Sequence, residues 1–253
     1  MTTDVATDLP PAVKRAWPAM GSVVSVHVHD RVDGGSERAR VDAAIDEVST
    51  EIERLEEMFS TFRPTSVVSR IARHEMHLLD APREVADVLD ACAWLESASS
   101  GAFSAWRGGR LDPAGFVKGW AVERASRLLD EAGFRHWMVS LGGDMQFGDP
   151  PNDGWRVGLA DPRDPRRIAR GLTVGRGAVA TSGTAARGLH IDDPRTGRPA
   201  TAWASVTVVG PNLAWADAFA TTAFVLGAEG PAWVEQFPGH SVIAIDGDGR
   251  IFG

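Results

Sequence analysis

Between Ala180 and Gly197 the chain reads Ala-Thr-Ser-Gly-Thr-Ala-Ala-Arg-Gly-Leu-His-Ile-Asp-Asp-Pro-Arg-Thr-Gly, a dense run of reactive groups. It carries hydroxyls at Thr181, Ser182, Thr184 and Thr196, carboxylates at Asp192 and Asp193, and guanidinium groups at Arg187 and Arg195. Gly183, Gly188 and Gly197 allow a backbone to approach a ligand without a side chain in the way. His190 is set among these groups, which makes it the natural candidate for a general base. An apolar run precedes the stretch and a strand-like run, Ala204 to Val209, follows it, so a binding loop hung on a sheet is one reading. The other is a polar hairpin with turns at Ser182-Gly183 and Asp193-Pro194. A Ser-His-Asp hydrolase fits poorly, because no Gly-x-Ser-x-Gly elbow is present. A zinc site fits worse, with no Cys or His pair at ligand spacing.

Two further stretches carry chemistry. From Leu111 the chain runs Asp-Pro-Ala-Gly-Phe-Val-Lys-Gly and then enters a helix predicted over Trp120 to Ala132. Gly115, Lys118 and Gly119 just before a helix offer backbone N–H groups, an ammonium and a positive dipole end to a phosphate. The spacing is not that of a P-loop. Asp112 suits a ribose hydroxyl, an adenine amino group or a metal; the plain alternative is a capped helix with Asp112 and Lys118 in a surface ion pair. In Ala216-Asp-Ala-Phe-Ala-Thr221, Asp217 and Thr221 are four apart and share a helix face. Oxygen ligands of this kind suit Mg²⁺ better than Zn²⁺. The alternative is Thr221 bonding back to the carbonyl of Asp217.

The elements that must position these groups are legible from periodicity. Val23 to His29 alternates as a half-buried strand with His27 and His29 on its polar face. Val41 to Phe59 carries one apolar stripe and an acidic opposite face, as an amphipathic helix does. Shorter helices are predicted over Val67 to Arg73, from Pro82 to about Ala98, over Leu213 to Leu226 and over Pro231 to Phe237. Strands are predicted over Trp137 to Leu141, Trp155 to Leu159, Leu172 to Ala180 and Ala204 to Val209, with a terminal hairpin of Val242 to Ile245 and Arg250 to Phe252. Helices and strands come in blocks, which favours α+β over a doubly wound sheet. Residues 1–11 read as a disordered tail and 12–253 as one domain.

At 253 residues the chain can bury a large core. Its net charge of -8 argues against nucleic acid or an anionic membrane as the main partner. Nine tryptophans and no tyrosine leave tryptophan and phenylalanine to fill any stacking role. The single cysteine, Cys92, lies on a helix stripe and reads as a small buried hydrophobe. No basic and apolar leader opens the sequence and no run is long enough to cross a bilayer, so a cytoplasmic location without membrane insertion is expected.

Taken together, these stretches resemble the ApbE family, the FAD:protein FMN transferases, along nearly the whole chain. Met20-Gly21-Ser22 looks like the family's Met-Gly-Thr start, and Phe59-Ser60-Thr61-Phe62 like its Phe-Ser-x-Tyr segment. Gly101-Ala102-Phe103-Ser104 is similar to its Gly-x-Phe-Asp segment, and Asp112 to Gly119 to its Asp-x-Gly-Gly-x-x-Lys-Gly loop. The sharpest matches are Ala180 to Gly183, then His190-Ile191 with Asp193 to Gly197, then Ala216-Asp217 to Thr221.

The resemblance implies an α+β, T-fold-related single domain of helices and mostly antiparallel sheet, with FAD bound in a cleft. It implies one Mg²⁺ held by the main-chain carbonyl of Gly115 and the side chains of Asp217 and Thr221. Met20, Phe62, Ala102, Phe103, Ser104, Asp112, Lys118, Thr181, Ser182, Gly183 and Ile191 would contact the flavin nucleotide. His190 would deprotonate a threonine or serine of an acceptor protein, whose oxygen would attack the FMN-side phosphorus and release AMP. Hydrolysis of FAD to FMN and AMP, or FAD carriage without chemistry, are the alternatives. The chain departs from the family pattern at Phe62 (usually tyrosine), at Ser104 (usually aspartate) and at Pro113-Ala114, which stiffens the glycine loop.

Overall fold

The computed structural model describes residues 12–185 and 188–253. The expected tail, 1–11, and Arg187 lie outside the described residues. In chain order the first elements are β1 (Val13–Ala19), β2 (Ser22–Val28), α1 (Gly35–Phe59), α2 (Val67–Ala72) and α3 (Arg83–Ala98). There follow β3 (Trp106–Arg107), β4 (Arg110–Leu111), α4 (Ala114–Glu131), β5 (Trp137–Leu141), β6 (Asp144–Phe147), β7 (Trp155–Asp161) and β8 (Asp164–Val174). The last are β9 (Gly177–Gly183), β10 (Asp192–Asp193), β11 (Arg198–Pro199), β12 (Ser205–Gly210), α5 (Leu213–Leu226), α6 (Gly230–Val234), β13 (Ser241–Ile245) and β14 (Ile251–Phe252).

The α+β expectation holds. An open eight-stranded sheet runs in the order β1-β2-β5-β6-β9-β12-β13-β14. All of its neighbouring pairs are antiparallel. On one face lie α1, α4 and α5, with α5 packed on β9 and β12 and α4 packed on α5. The other face carries the β7–β8 hairpin, whose Trp155, Val157, Leu159 and Val174 close over Phe147, Val179 and Ile243. Strand alternation assigns residues to these two layers. In β9, Ala178 and Ala180 enter the helix-side core while Val179 enters the hairpin-side cluster. Covered on both faces, β9 is apolar from Ala178 to Ala180, and where the two strands β9 and β12 carry hydroxyls these pair, Thr181 with Thr207 at 2.8 Å.

The stripe predicted for α1 is buried at all eight positions from Val41 to Phe59. The helix itself begins at Gly35, because its first two turns are polar and stand clear of the core; an Arg38–Asp42 pair of 2.9 Å stabilises them. The predicted strand over Leu172 to Ala180 is two strands. Gly175 and Arg176 separate β8 from β9, and Gly177 (φ +151°) lies against the carbonyl oxygen of Gly210, where a Cβ would stand 2.6 Å away. His27 and His29 do not face open solvent. His27 is half-buried, and the His29 ring meets Trp155 edge-on at 5.4 Å under the β7–β8 hairpin. Burial, followed by Lys14 and His29, depresses the His27 pKa below the ordinary histidine value. No helix among the described residues is long and apolar enough to cross a membrane.

Candidate active site

A cavity of about 270 Å³ opens where the start of α4, the middle of α5, the end of β9 and the β5–β6 turn converge. Its wall brings together residues as far apart in sequence as Ser22 and Val225. Ala102, Phe103, Ser104, Asp112, Gly115, Lys118, Thr181, Ser182, Gly183, His190, Ile191, Asp217 and Thr221 all line it. Met20 and Phe62 do not. Met20 sits in the β1–β2 turn, where its N–H donates to Glu56 Oε2 at 3.0 Å, and Phe62 is 95% exposed after α1.

The glycine loop takes a different form from the one its sequence predicts. Helix α4 starts at Ala114, so Gly115, Lys118 and Gly119 lie inside its first turns. Asp112 acts on that helix start by accepting from the Ala114 N–H at 3.2 Å, which occupies one of the donors a phosphate could have used. Gly119 lets α4 touch α5: a Cβ there would press into the Leu213 carbonyl and stand 2.9 Å from Asp217 Cβ. The close approach also lets the Gly119 N–H donate to Asp217 Oδ2 at 3.1 Å.

Asp217 is the electrostatic centre of the cavity. Protein surrounds the carboxylate, although the residue keeps partial access to the cavity. Burial first, and then the negative field of Asp144, push its pKa well above the usual carboxylate range. Lys118 and the Gly119 N–H pull it the other way without cancelling that rise. Four residues on in α5, Thr221 does not bond back to the Asp217 carbonyl. Its hydroxyl meets Ser182 Oγ at 2.9 Å, and the back-bond is made one residue later, from Thr222 to Ala218 O at 2.7 Å. Two hydroxyls and a carboxylate therefore share one small volume of the cavity floor.

Asp144 was not singled out by the sequence reading. It follows the Gly142-Gly143 turn, whose residues both have positive φ as a two-residue hairpin loop requires. Its Oδ1 accepts from the Thr181 N–H at 2.8 Å, tying β6 to the end of β9. A Gly-Gly-Asp following an apolar strand is the signal that could have located it.

His190 stands on the cavity rim. Its Nδ1 lies 2.9 Å from the carbonyl oxygen of Gly188. A carbonyl only accepts, so this contact requires the proton on Nδ1 and leaves the lone pair of a neutral ring on Nε2. Of the two turns expected in the 180–197 stretch, the one at Asp193-Pro194 is present, whereas Ser182-Gly183 lies in β9. Thr181 to Gly183 end a core strand, whereas Asp192 to Pro199 form the small β10–β11 hairpin, turned where Thr196 and Gly197 N–H groups meet Asp193 O. Arg195 is spent on Asp193 at 2.8 Å, and that pairing depresses the Asp193 pKa. Ser104, at the position usually held by aspartate, accepts from the Trp106 N–H at 3.0 Å and supports the β3–β4 hairpin.

A model of the ApbE family matches residues 20–109 and 104–244. The chain belongs to the ApbE family. Among its relatives, a FAD:protein FMN transferase of Rhodobacter capsulatus is 37% identical over 154 residues, 56% of this chain and 29% of the relative. One from Escherichia coli K12 is 31% identical over 147 residues, 53% of this chain and 42% of the relative. The matched stretches thus span less than half of those relatives' lengths. The flavin transferase ApbE of Vibrio cholerae superposes with a TM-score of 0.77 at 22% identity, covering 96% of this chain and 97% of that one. The ApbE protein of Thermotoga maritima gives 0.79 at 23%, covering 95% and 96%. At that identity the structures establish that the fold is shared over at least 95% of each chain.

Proposed function

We propose that this chain transfers FMN from FAD to a serine or threonine hydroxyl of an acceptor protein and releases AMP. The observation that carries the reading is the placement of His190, with its Nε2 lone pair free, on the rim of a cavity whose floor holds Lys118 and the Asp217 carboxylate. The names of the family relatives supply the substrate class. A cavity of about 270 Å³ is at the small end for a bound organic ligand, so it would hold the central pyrophosphate of FAD while the rings extend along the open rim.

In that pose His190 Nε2 accepts the proton of the acceptor hydroxyl as its oxygen bonds to the FMN-side phosphorus. The bond from that phosphorus to the bridging oxygen breaks, and the oxygen leaves with AMP. The product is an FMN joined to the acceptor through a phosphoester. Lys118 balances charge on the pyrophosphate, and holding both reactants in line supplies much of the remaining acceleration.

A divalent cation fits the residues present. A carboxylate whose pKa is raised by burial and by a second carboxylate gains most from a bound positive charge. Among the described residues no three His, Cys, Asp or Glu side chains come together as a metal cage, so the donors would be mixed oxygens, as Mg²⁺ accepts. Asp217, Thr221 and the main-chain carbonyl of Gly115 would hold the ion, which when bound screens the phosphate charge.

The test is incubation of purified protein with FAD and Mg²⁺, with and without a candidate acceptor. Flavin fluorescence travelling with the acceptor on a denaturing gel, together with one AMP per flavin transferred, is the expected result. FMN and AMP formed equally well without acceptor would identify a hydrolase instead, and failure to bind FAD would end the reading. His190→Ala is expected to lower turnover by about 10²- to 10⁴-fold with FAD still bound. Full activity in that variant would remove it from the base role.

A further inference from the structure

The residues lining the cavity are unbalanced in charge. Asp112, Asp144, Asp192 and Asp217 face it, against Lys118 and Arg107 as the only lysine and arginine among the lining residues described. A pyrophosphate entering such a site meets repulsion unless cations oppose it. Lys118 precedes Gly119, whose N–H holds the Asp217 carboxylate at 3.1 Å, so it serves the cavity floor. Arg107 stands at the mouth. Its guanidinium is held loosely, 3.4 Å from the His190 carbonyl oxygen and 3.8 Å from the Asp192 carboxylate, with about half of the side chain exposed. Contacts of that length leave donor capacity for a stronger acceptor, and the planar fork of arginine suits phosphate oxygens.

Arg107 is mounted on a tight hairpin. Strands β3 and β4 are joined by Gly108-Gly109, with φ of +55° and +76°, the two positive values that the tightest hairpin turn demands. The Asp112 N–H closes the base of this ribbon on Ala105 O at 2.7 Å. One short ribbon thus fixes both Arg107 and Asp112 on the cavity wall. Arg107 falls within both stretches matched to the family, outside the motifs that carry the resemblance.

We infer that Arg107 is a phosphate-binding residue of the nucleotide site, holding the pyrophosphate at the mouth of the cavity while Lys118 acts from its floor. This rests on the proposed use of FAD. The closing experiment compares equilibrium binding of FAD and of riboflavin, which lacks phosphate, to wild type, Arg107→Gln, Arg107→Lys and Arg110→Ala, with Mg²⁺ and without acceptor. Arg107→Gln is expected to weaken FAD about tenfold, the equivalent of one partly exposed charge-assisted contact, with riboflavin binding unchanged. Arg107→Lys should fall between. Arg110→Ala, on the same hairpin but off the cavity wall, should match wild type. An unchanged ratio of FAD to riboflavin affinity in Arg107→Gln overturns the inference, as does an equal loss for both ligands, which would mean a structural role. If wild type binds riboflavin but gains nothing from the phosphates, the inference fails while flavin recognition stands. If wild type binds neither ligand, the proposed function itself fails.

Discussion

Replacing Gly119 with alanine sets two well-characterised effects against each other. In an exposed helix the change would stabilise by about 1 kcal/mol, since glycine is the poorer helix former. Here the added Cβ meets the Leu213 carbonyl and comes within 2.9 Å of Asp217 Cβ, both belonging to α5. Neither obstacle is the end of a flexible side chain, so relief requires moving α5 away from α4. Forcing a methyl into a packed contact costs about 1–3 kcal/mol, and the upper end applies when backbone blocks the way. Subtracting the helix-propensity gain leaves a net loss of about 2 kcal/mol. With a urea slope of about 2 kcal/mol per molar, the unfolding midpoint should fall by about 1 M. Gly115→Ala is the comparison, because its Cβ would meet only the Phe103 ring, at 3.2 Å. A ring can tilt, so that variant should lose less. A midpoint for Gly119→Ala equal to or above wild type would show that helix propensity wins, and would refute the close α4–α5 contact on which the placement of Asp217 depends.

Other perturbations separate the site from the scaffold. Asp217→Asn should raise the thermal midpoint of the metal-free protein at pH 7 while abolishing any response to Mg²⁺. The sign follows from linkage: a carboxyl whose folded pKa lies above its unfolded value favours folding at low pH and loses that contribution as pH rises toward the folded pKa. A wild-type midpoint unaffected by pH in comparison with the variant would contradict it. Gln146→Leu should cost about 2–4 kcal/mol in urea unfolding, since Gln146 accepts from the Leu213 N–H at 2.7 Å and donates to Gly177 O at 3.0 Å in a buried place. A loss below 1 kcal/mol would mean that water replaces it. Cys92, buried on α3, has its thiol pKa pushed up to about 12 by burial first and Glu96 second. It should resist a thiol reagent at pH 8 until the protein unfolds, and fast labelling of the native protein would place it at the surface.

The elements that the sequence disclosed are those whose burial leaves a periodic trace. The α1 stripe, the β5 alternation and the alanine-rich α5 could be located within a residue or a few because each turns an apolar face to one core. Elements without that trace were missed. Strand β1 sits at the sheet edge with Lys14 exposed and Arg15 turned onto Asp42 and Asp46 of α1, and β6 is four residues long. The early start of α4 was hidden because Pro113 and the glycines that follow resemble a loop; the helix tolerates Gly119 there because α5 needs the space. Most of the residues in motifs line the cavity, but Met20 and Phe62 do not. Asp144 and Arg107 line it without belonging to a legible motif, because each flanks a two-glycine turn that places one side chain and carries no chemistry of its own.

The same geometry accounts for why the site must be built from separate elements. A carboxylate surrounded by protein and facing a second carboxylate opposes folding, and no single helix or strand offsets that cost. The offset comes from a lysine in α4, a backbone N–H exposed by a glycine in the same helix, and hydroxyls from β9 and α5 that can turn toward it. Each of these acts only while α4, α5 and the sheet remain in contact. The unfavourable charge is therefore held by the most cooperative part of the core, whereas His190 and Arg107 stand on the rim, where the proposed acceptor would meet them. Loosening the rim should reduce turnover with little change in stability, and loosening the α4–α5 contact should lower both together.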